Sequence, residues 1–261
     1  KRIRKALSEG YIVVAAGFQG ITEDLDITTL GRGGSDTTAI ALGGALGAEL
    51  VEIYTDVPGV AFTDPRLVPE APYVKNIDFY PLHILARAGA KVVHHRAVKT
   101  AIAYGMPFFV RSTFSGDEGT LIGRPGESFG GLYGIALLKG VRVLRVKGRD
   151  TNSFWKNMAV DEIFYQDGPQ ECVLAVNPSD LPGSRQEGCI LSEECDLITI
   201  MWDPACGITP QDIAQIFFRR GINTLGSFDL NSGGSWAVPA SQSTDAIRAV
   251  YQSACQFQQA V

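Results

Sequence analysis

The stretch Thr28 to Ala48 places an arginine among glycines, follows it with Ser-Asp-Thr-Thr, and runs straight into small apolar residues. Those residue types in that order can bind an anion. Gly31, Gly33 and Gly34 carry no Cβ and let the backbone approach a ligand closely. Arg32 supplies a planar fork of donors that matches a carboxylate or a phosphate. Ser35 and Asp36 are strong N-cap types, and the run after them reads as a helix from about Thr37 to Gly47. A helix start offers unpaired N–H groups and the positive end of the dipole, which completes an anion receptor. The plainer reading is a capped glycine turn with Arg32 solvated.

The elements that would position this loop alternate between strand and helix. Arg2 to Glu9 reads as the end of a helix stopped by Gly10, and Tyr11 to Phe18 as a continuous apolar run suited to a buried parallel strand. After the loop and its helix, Leu50 to Asp56 is a strand ending in polar residues, where α/β sheets place their ligands. Phe79 to Arg87 and Arg96 to Tyr104 read as helices and Pro107 to Thr113 as a third strand. This alternation implies an α/β fold, a mostly parallel sheet covered by helices.

The composition changes at Gly123-Arg-Pro-Gly-Glu-Ser, where a domain boundary is expected, with 1–124 before it and 125–261 after it. Gly134 to Lys147 reads as one or two strands and Cys172 to Val176 as another. The end is the clearest unit: a strand at Leu197 to Met201, and a helix from Thr209 to Arg220 with Pro210 in its first turn and Gly221 as its stop. Short strands near Thr224 to Leu230 and Ser235 to Val238 follow, then a helix from Ser243 to about Gln256. A βαββα order of this size is a small α+β sandwich.

Bulk properties narrow the class. With 45% hydrophobic and 20% charged content, the 261 residues describe a soluble globular protein. A net charge of −5 without a basic stripe argues against a nucleic-acid surface. The apolar runs are strand-length, short of the roughly 20 residues a membrane span needs. KRIRKALSEG is basic but turns polar before an apolar core forms, so no secretory signal is expected there. Five cysteines, odd in number and without a C-x-x-C pair, suggest reduced thiols in a cytoplasm and no zinc site. Three histidines, two of them adjacent at His94 and His95, are too few for a metal constellation; a buried or helix-capping role is expected.

Six segments in one order carry a family resemblance: Gly17-Phe-Gln-Gly-Ile-Thr22, Ile27-Thr-Thr-Leu-Gly-Arg-Gly-Gly-Ser-Asp36, Tyr54-Thr-Asp-Val-Pro-Gly-Val60, Thr63-Asp-Pro-Arg66, Gly89-Ala-Lys-Val-Val-His94 and Val110-Arg-Ser-Thr-Phe114. The series resembles aspartate kinase, of the amino-acid kinase superfamily, in which ACT regulatory domains follow the kinase domain. The kinase-like part covers about residues 1–123, and the tail fits an ACT unit. The resemblance implies transfer of the γ-phosphoryl group of ATP, with Mg2+, to the side-chain carboxylate of L-aspartate, the first step of the lysine, threonine and methionine pathway.

Carried over residue by residue, the resemblance makes the anion loop an aspartate site. It implies that Arg32 grips the α-carboxylate while Gly33, Gly34, Ser35 and Asp36 hold the amino-acid end. It gives Thr55, Asp56, Asp64, Arg66 and Lys91 to the nucleotide, with Phe62 standing in for the family aromatic whose place is taken by Ala61. Arg32, Asp36 and Lys91 are then the catalytic candidates. Read without the family, Asp64-Pro65-Arg66 is a turn with a surface ion pair and Lys91 a solvated lysine.

Departures from the family pattern matter as well. No lysine-bearing segment of the Lys-Phe-Gly-Gly type occurs, so the chain is expected to be incomplete and to have little activity alone. A non-catalytic, kinase-derived partner subunit is the alternative. Met158-Ala-Val-Asp161 resembles the end of a first ACT helix, which makes the first ACT-like unit, 131–196, shortened before the second at 197–261. Asp203 to Pro210 departs from the family's start of the second ACT helix, so no feedback effector is carried over. A partly missing sheet would leave apolar edges from Tyr11 to Ala16 exposed, so homo-oligomeric association is expected through them or through the ACT-like half.

Overall fold

The computed structural model describes residues 2–147, 164–167, 171–176 and 189–259. It divides into two compact units. The first contains Lys1–Val60, Tyr73–Ala86 and Lys91–Glu127; the second contains Ala61–Pro72, Arg87–Ala90 and Ser128–Val261. The expected ACT-like helix end at Met158 to Asp161 lies outside the described residues.

In the first unit, helix α1 (Arg2–Ser8) precedes a hairpin of β1 (Gln19–Ile21) and β2 (Ile27–Thr29). Helix α2 (Gly34–Leu46) and strand β3 (Val51–Thr55) follow, then β4 (Asn76–Ile77), α3 (Phe79–Arg87), α4 (His95–Tyr104), β5 (Phe108–Ser112) and β6 (Thr120–Ile122). The sheet order is β3-β5-β6-β4, with β3 parallel to β5, β4 parallel to β6 and β5 antiparallel to β6. Both glycines in the middle of α2 have a packing reason. A Cβ on Gly43 would lie 2.3 Å from Val51 Cγ2, and one on Gly44 would lie 2.4 Å from the Tyr104 ring. The small-residue helix is what allows β3 and α4 to approach it this closely.

One expectation fails here. Tyr11 to Phe18 forms no strand. Ile12 is 94% and Val14 95% exposed, although the run is as apolar as many buried strands. Apolar character alone does not bury a segment; it needs a neighbour that takes up its hydrogen bonds and covers its side chains.

The second unit is built on an antiparallel sheet of order β11-β12-β10-β7-β9-β8. Its strands are β7 (Leu132–Lys147), β8 (Phe164–Asp167), β9 (Glu171–Val176), β10 (Cys189–Trp202), β11 (Gly226–Leu230) and β12 (Gly233–Val238). The stretch from Gly134 to Lys147 is a single long strand. Helix α5 (Pro210–Arg219) lies between β10 and β11, and α6 (Ser243–Gln259) follows β12, which gives the βαββα order. Thr209 begins α5 with a reciprocal capping box: its side chain accepts from Asp212 N, and the Asp212 carboxylate accepts from Thr209 N at 2.8 Å. Leu197, Ile198 and Ile200 are fully buried, and Trp236 packs edge-on against Phe217 with ring centroids 5.8 Å apart.

Candidate functional site

The anion loop is assembled by the backbone before any side chain acts. Gly31 and Gly33 take φ of +74° and +68°, in the left-handed region that glycine favours. Gly33 is the N-cap of α2 and has no side-chain cap bond; Ser35 and Asp36 sit in the first turn instead. The expectation that Ser35 or Asp36 caps the helix is therefore corrected. A left-handed N-cap glycine leaves the first amides without an intramolecular side-chain acceptor, which is the arrangement an incoming carboxylate can use.

Several contacts fix the loop. A Cβ on Gly33 would lie 2.2 Å from His94 Cβ, and one on Gly34 would lie 2.8 Å from the Phe18 ring. Phe18 itself holds a left-handed φ of +67°, donates its N–H to Thr38 Oγ1 at 3.1 Å and accepts from Leu30 N at 3.0 Å. Arg32 is exposed and pairs with no carboxylate among the described residues. The Ser35 hydroxyl reaches Asp36 Oδ1 at 3.5 Å. Burial raises the Asp36 pKa above its usual value, opposed by the Ser35 hydrogen bond and the nearby charge of His94.

The buried or helix-capping role expected for the adjacent histidines is met, and the capping one falls to His94. Its Nδ1 accepts the Arg96 N–H at 3.3 Å and so caps α4, while its Cβ closes over Gly33. Its ring lies 4.3 Å from that of His95, which is buried, and His83 lies 6.2 Å beyond. All of the chain's histidines thus gather behind the loop. The Gly-His spacing held no signal for this, because Gly33 and His94 meet only through the packing of α2 on α4.

Thr55 ends β3 half-buried, and its hydroxyl meets Oδ1 of the exposed Asp56 at 3.1 Å. The parallel register pairs Thr55 with Ser112. Ser112 accepts from the N–H groups of Phe114 and Ser115 at 3.0 and 3.2 Å, so the carboxyl ends of two parallel strands carry a polar turn each. That is where open α/β sheets bind ligands. Lys91 is exposed in the connection between α3 and α4.

Asp64 and Arg66 lie in the segment that belongs to the second unit. Arg66 forks onto Asp64, with Nε 2.9 Å from Oδ1 and Nη2 2.6 Å from Oδ2. The turn with an ion pair is therefore present. Phe62 is 1% exposed and packs edge-on against Phe129. Its ring is taken up by that core and has no free face for a base, which corrects its assignment to the nucleotide. Among the described residues no group of three or more His, Cys, Asp or Glu could hold a metal ion, and no helix is long and apolar enough to cross a membrane.

Residues 1–112 match the model of the amino acid kinase family. Within it, the resemblance is to aspartokinases. The Corynebacterium efficiens aspartokinase is 52% identical over 122 residues, covering 46% of this chain and 29% of the relative. The Geobacillus stearothermophilus aspartokinase is 54% identical over 121 residues, covering 46% and 30%. The match thus spans about 30% of the length of these relatives.

The fold likeness extends further along the chain. The structure of Escherichia coli aspartokinase III in complex with aspartate and ADP aligns with a TM-score of 0.77 at 24% identity, over 97% of this chain and 62% of that one. The Clostridium acetobutylicum aspartate kinase aligns with a TM-score of 0.72 at 22% identity, over 91% and 62%. The fold of the chain is thus like that of these two aspartate kinases.

Proposed function

We propose that this chain is part of an aspartate kinase and contributes the aspartate receptor and much of the nucleotide contact. The reaction is transfer of the ATP γ-phosphoryl group to the side-chain carboxylate of L-aspartate, giving 4-phospho-L-aspartate. The observation that carries the reading is the Gly31–Asp36 loop. It combines a free guanidinium, two left-handed glycines and an uncapped helix start in a segment that matches aspartokinases at about half identity. Within the chain, 1–124 would be the kinase portion, 125–261 the ACT-like region and 197–261 its better formed unit.

Each residue has a defined task in this reading. Arg32 pairs bidentately with the α-carboxylate, and the first amides of α2 share that charge. Ser35 and Asp36 receive the ammonium group, whose positive charge would draw the Asp36 carboxyl back toward its ionised form. Holding both ends of aspartate leaves its side-chain carboxylate as the nucleophile. Phosphoryl transfer then needs positioning and neutralisation of charge on the transferring group, which Lys91 and Arg66 are assigned to supply. Thr55 and Asp56 face the sugar or base of ATP. Mg2+ typically binds through substrate phosphates plus one or two carboxylates, so it would arrive with the nucleotide.

Calorimetric titration with L-aspartate and with Mg-ATP tests the assignment. Saturable binding of both supports it; binding of neither would mean that the motifs are inherited scaffold. We also infer a cytoplasmic protein that associates with itself through its exposed apolar residues. Light scattering at micromolar concentration checks this, and a strict monomer contradicts it.

A further inference from the structure

The segment Ala61–Pro72 has no strand or long helix of its own, yet it is held at several points. Its amino-terminal anchor is Phe62. The Phe62 carbonyl accepts from Ile135 N of β7 at 2.8 Å, and the Phe62 N–H donates to Pro72 O at 2.9 Å, closing the segment on itself. The Phe62 ring meets Phe129, which stacks on Tyr251 of α6 with centroids 5.9 Å apart. Val68 and Ala71 are buried.

Two further anchors come from α6 alone. The Tyr251 hydroxyl donates to Glu70 O at 3.0 Å, and Arg248 Nε donates to Leu67 O at 3.2 Å. These residues are three apart on the helix and so share one face. Each bond spans 181 positions of sequence. Burial, with the Cys255 thiol beside it, pushes the Tyr251 pKa up to about 12, so its hydroxyl remains a donor across the neutral range.

Between the anchors, the segment presents the Asp64–Arg66 fork. Leu67 N and Val68 N return to Asp64 O at 2.9 and 3.1 Å, and Arg66 N donates to Asp64 Oδ1 at 2.9 Å. The Arg66 side chain is 74% exposed, so the rest of its guanidinium faces solvent from a fixed base. An irregular segment loses conformational freedom at every residue that must be ordered, and these anchors offset that loss in advance.

We propose that Tyr251 and Arg248 are positioning residues for the Asp64–Arg66 arm, and that helix α6 thereby sets the affinity of the kinase for nucleoside triphosphate. The inference rests on the assignment of Arg66 to the nucleotide made above.

The test is a double-variant cycle on the full chain, with Mg-ATP and L-aspartate titrated separately. Tyr251→Phe should weaken Mg-ATP binding about fivefold, the effect of losing one hydrogen bond, and leave aspartate binding unchanged. In an Arg66→Ala background the same substitution should have no further effect on Mg-ATP. Amide exchange across 61–72 should rise in Tyr251→Phe and in Arg248→Gln, a readout that needs no nucleotide. If Arg66→Ala weakens Mg-ATP binding but Tyr251→Phe leaves both binding and exchange unchanged, the inference is overturned while the nucleotide assignment stands. If Arg66→Ala has no effect, the assignment fails and the inference with it. An equal loss from Tyr251→Phe with and without Arg66 would mark a general structural role and also overturn it.

Discussion

Two apolar stretches of this chain meet opposite fates. Tyr11 to Phe18 and Leu197 to Met201 are both largely apolar runs that read as strands. The second lies at the centre of a sheet, between β7 and β12, and its Leu197, Ile198 and Ile200 are fully buried. The first forms no strand and leaves Ile12 and Val14 almost wholly exposed. The difference is supplied by neighbours, not by composition: hydrophobic run and β propensity are local, whereas the partner strand is not.

The largest expected effect sharpens that contrast. Ile198→Ala should cost about 2–5 kcal/mol in denaturant unfolding, because it opens a cavity in a packed core. Ile12→Ala and Val14→Ala should stay within about 0.5 kcal/mol. A comparable loss at Ile12 would show that the first stretch is covered in solution, and the contrast would break.

An intermediate effect belongs to the loop that lies between such extremes. Gly33→Ala adds a Cβ that meets His94 and forces a left-handed backbone on a residue that resists it. Strain of the second kind alone costs about 1–3 kcal/mol, so thermal unfolding should fall measurably. Gly31→Ala shares the left-handed φ but meets open space, and should lose less.

The smallest effect is electrostatic. Burial raises the Asp36 pKa in the folded protein, so the native state binds this proton more tightly than the unfolded chain does. The corresponding stability is present below the unfolded pKa and is lost as pH rises through the folded one. Asp36→Asn should therefore flatten the stability profile across the mildly acidic range, measured by denaturant unfolding at several pH values. An unchanged profile would mean that Asp36 is solvated.

How much of this was legible in the sequence follows from the same physics. The helices at Phe79–Arg87, Pro210–Arg219 and Ser243–Gln259 were readable because their caps, breakers and periodicity are local. The βαββα order was readable for the same reason. The N-cap of α2 was not, since Ser35 and Asp36 are strong cap types and only the left-handed Gly33 shifts the helix start ahead of them. Phe62 looked available for a base until Phe129 and Tyr251 enclosed it from far along the chain. The contact of His94 with Gly33 was equally hidden, because Gly33 belongs to a different helix start. Non-local packing decided each miss.

The claim that carries most weight is that Arg32 grips the α-carboxylate of aspartate. The direct measurement is calorimetric titration of the chain and its Arg32→Ala variant with L-aspartate, alongside β-alanine, which is aspartate without that carboxylate. The account predicts that Arg32→Ala weakens aspartate binding by about tenfold or more, the range of a charge-assisted hydrogen bond, and leaves any weak β-alanine binding unchanged. Equal aspartate affinity in the two proteins would contradict it.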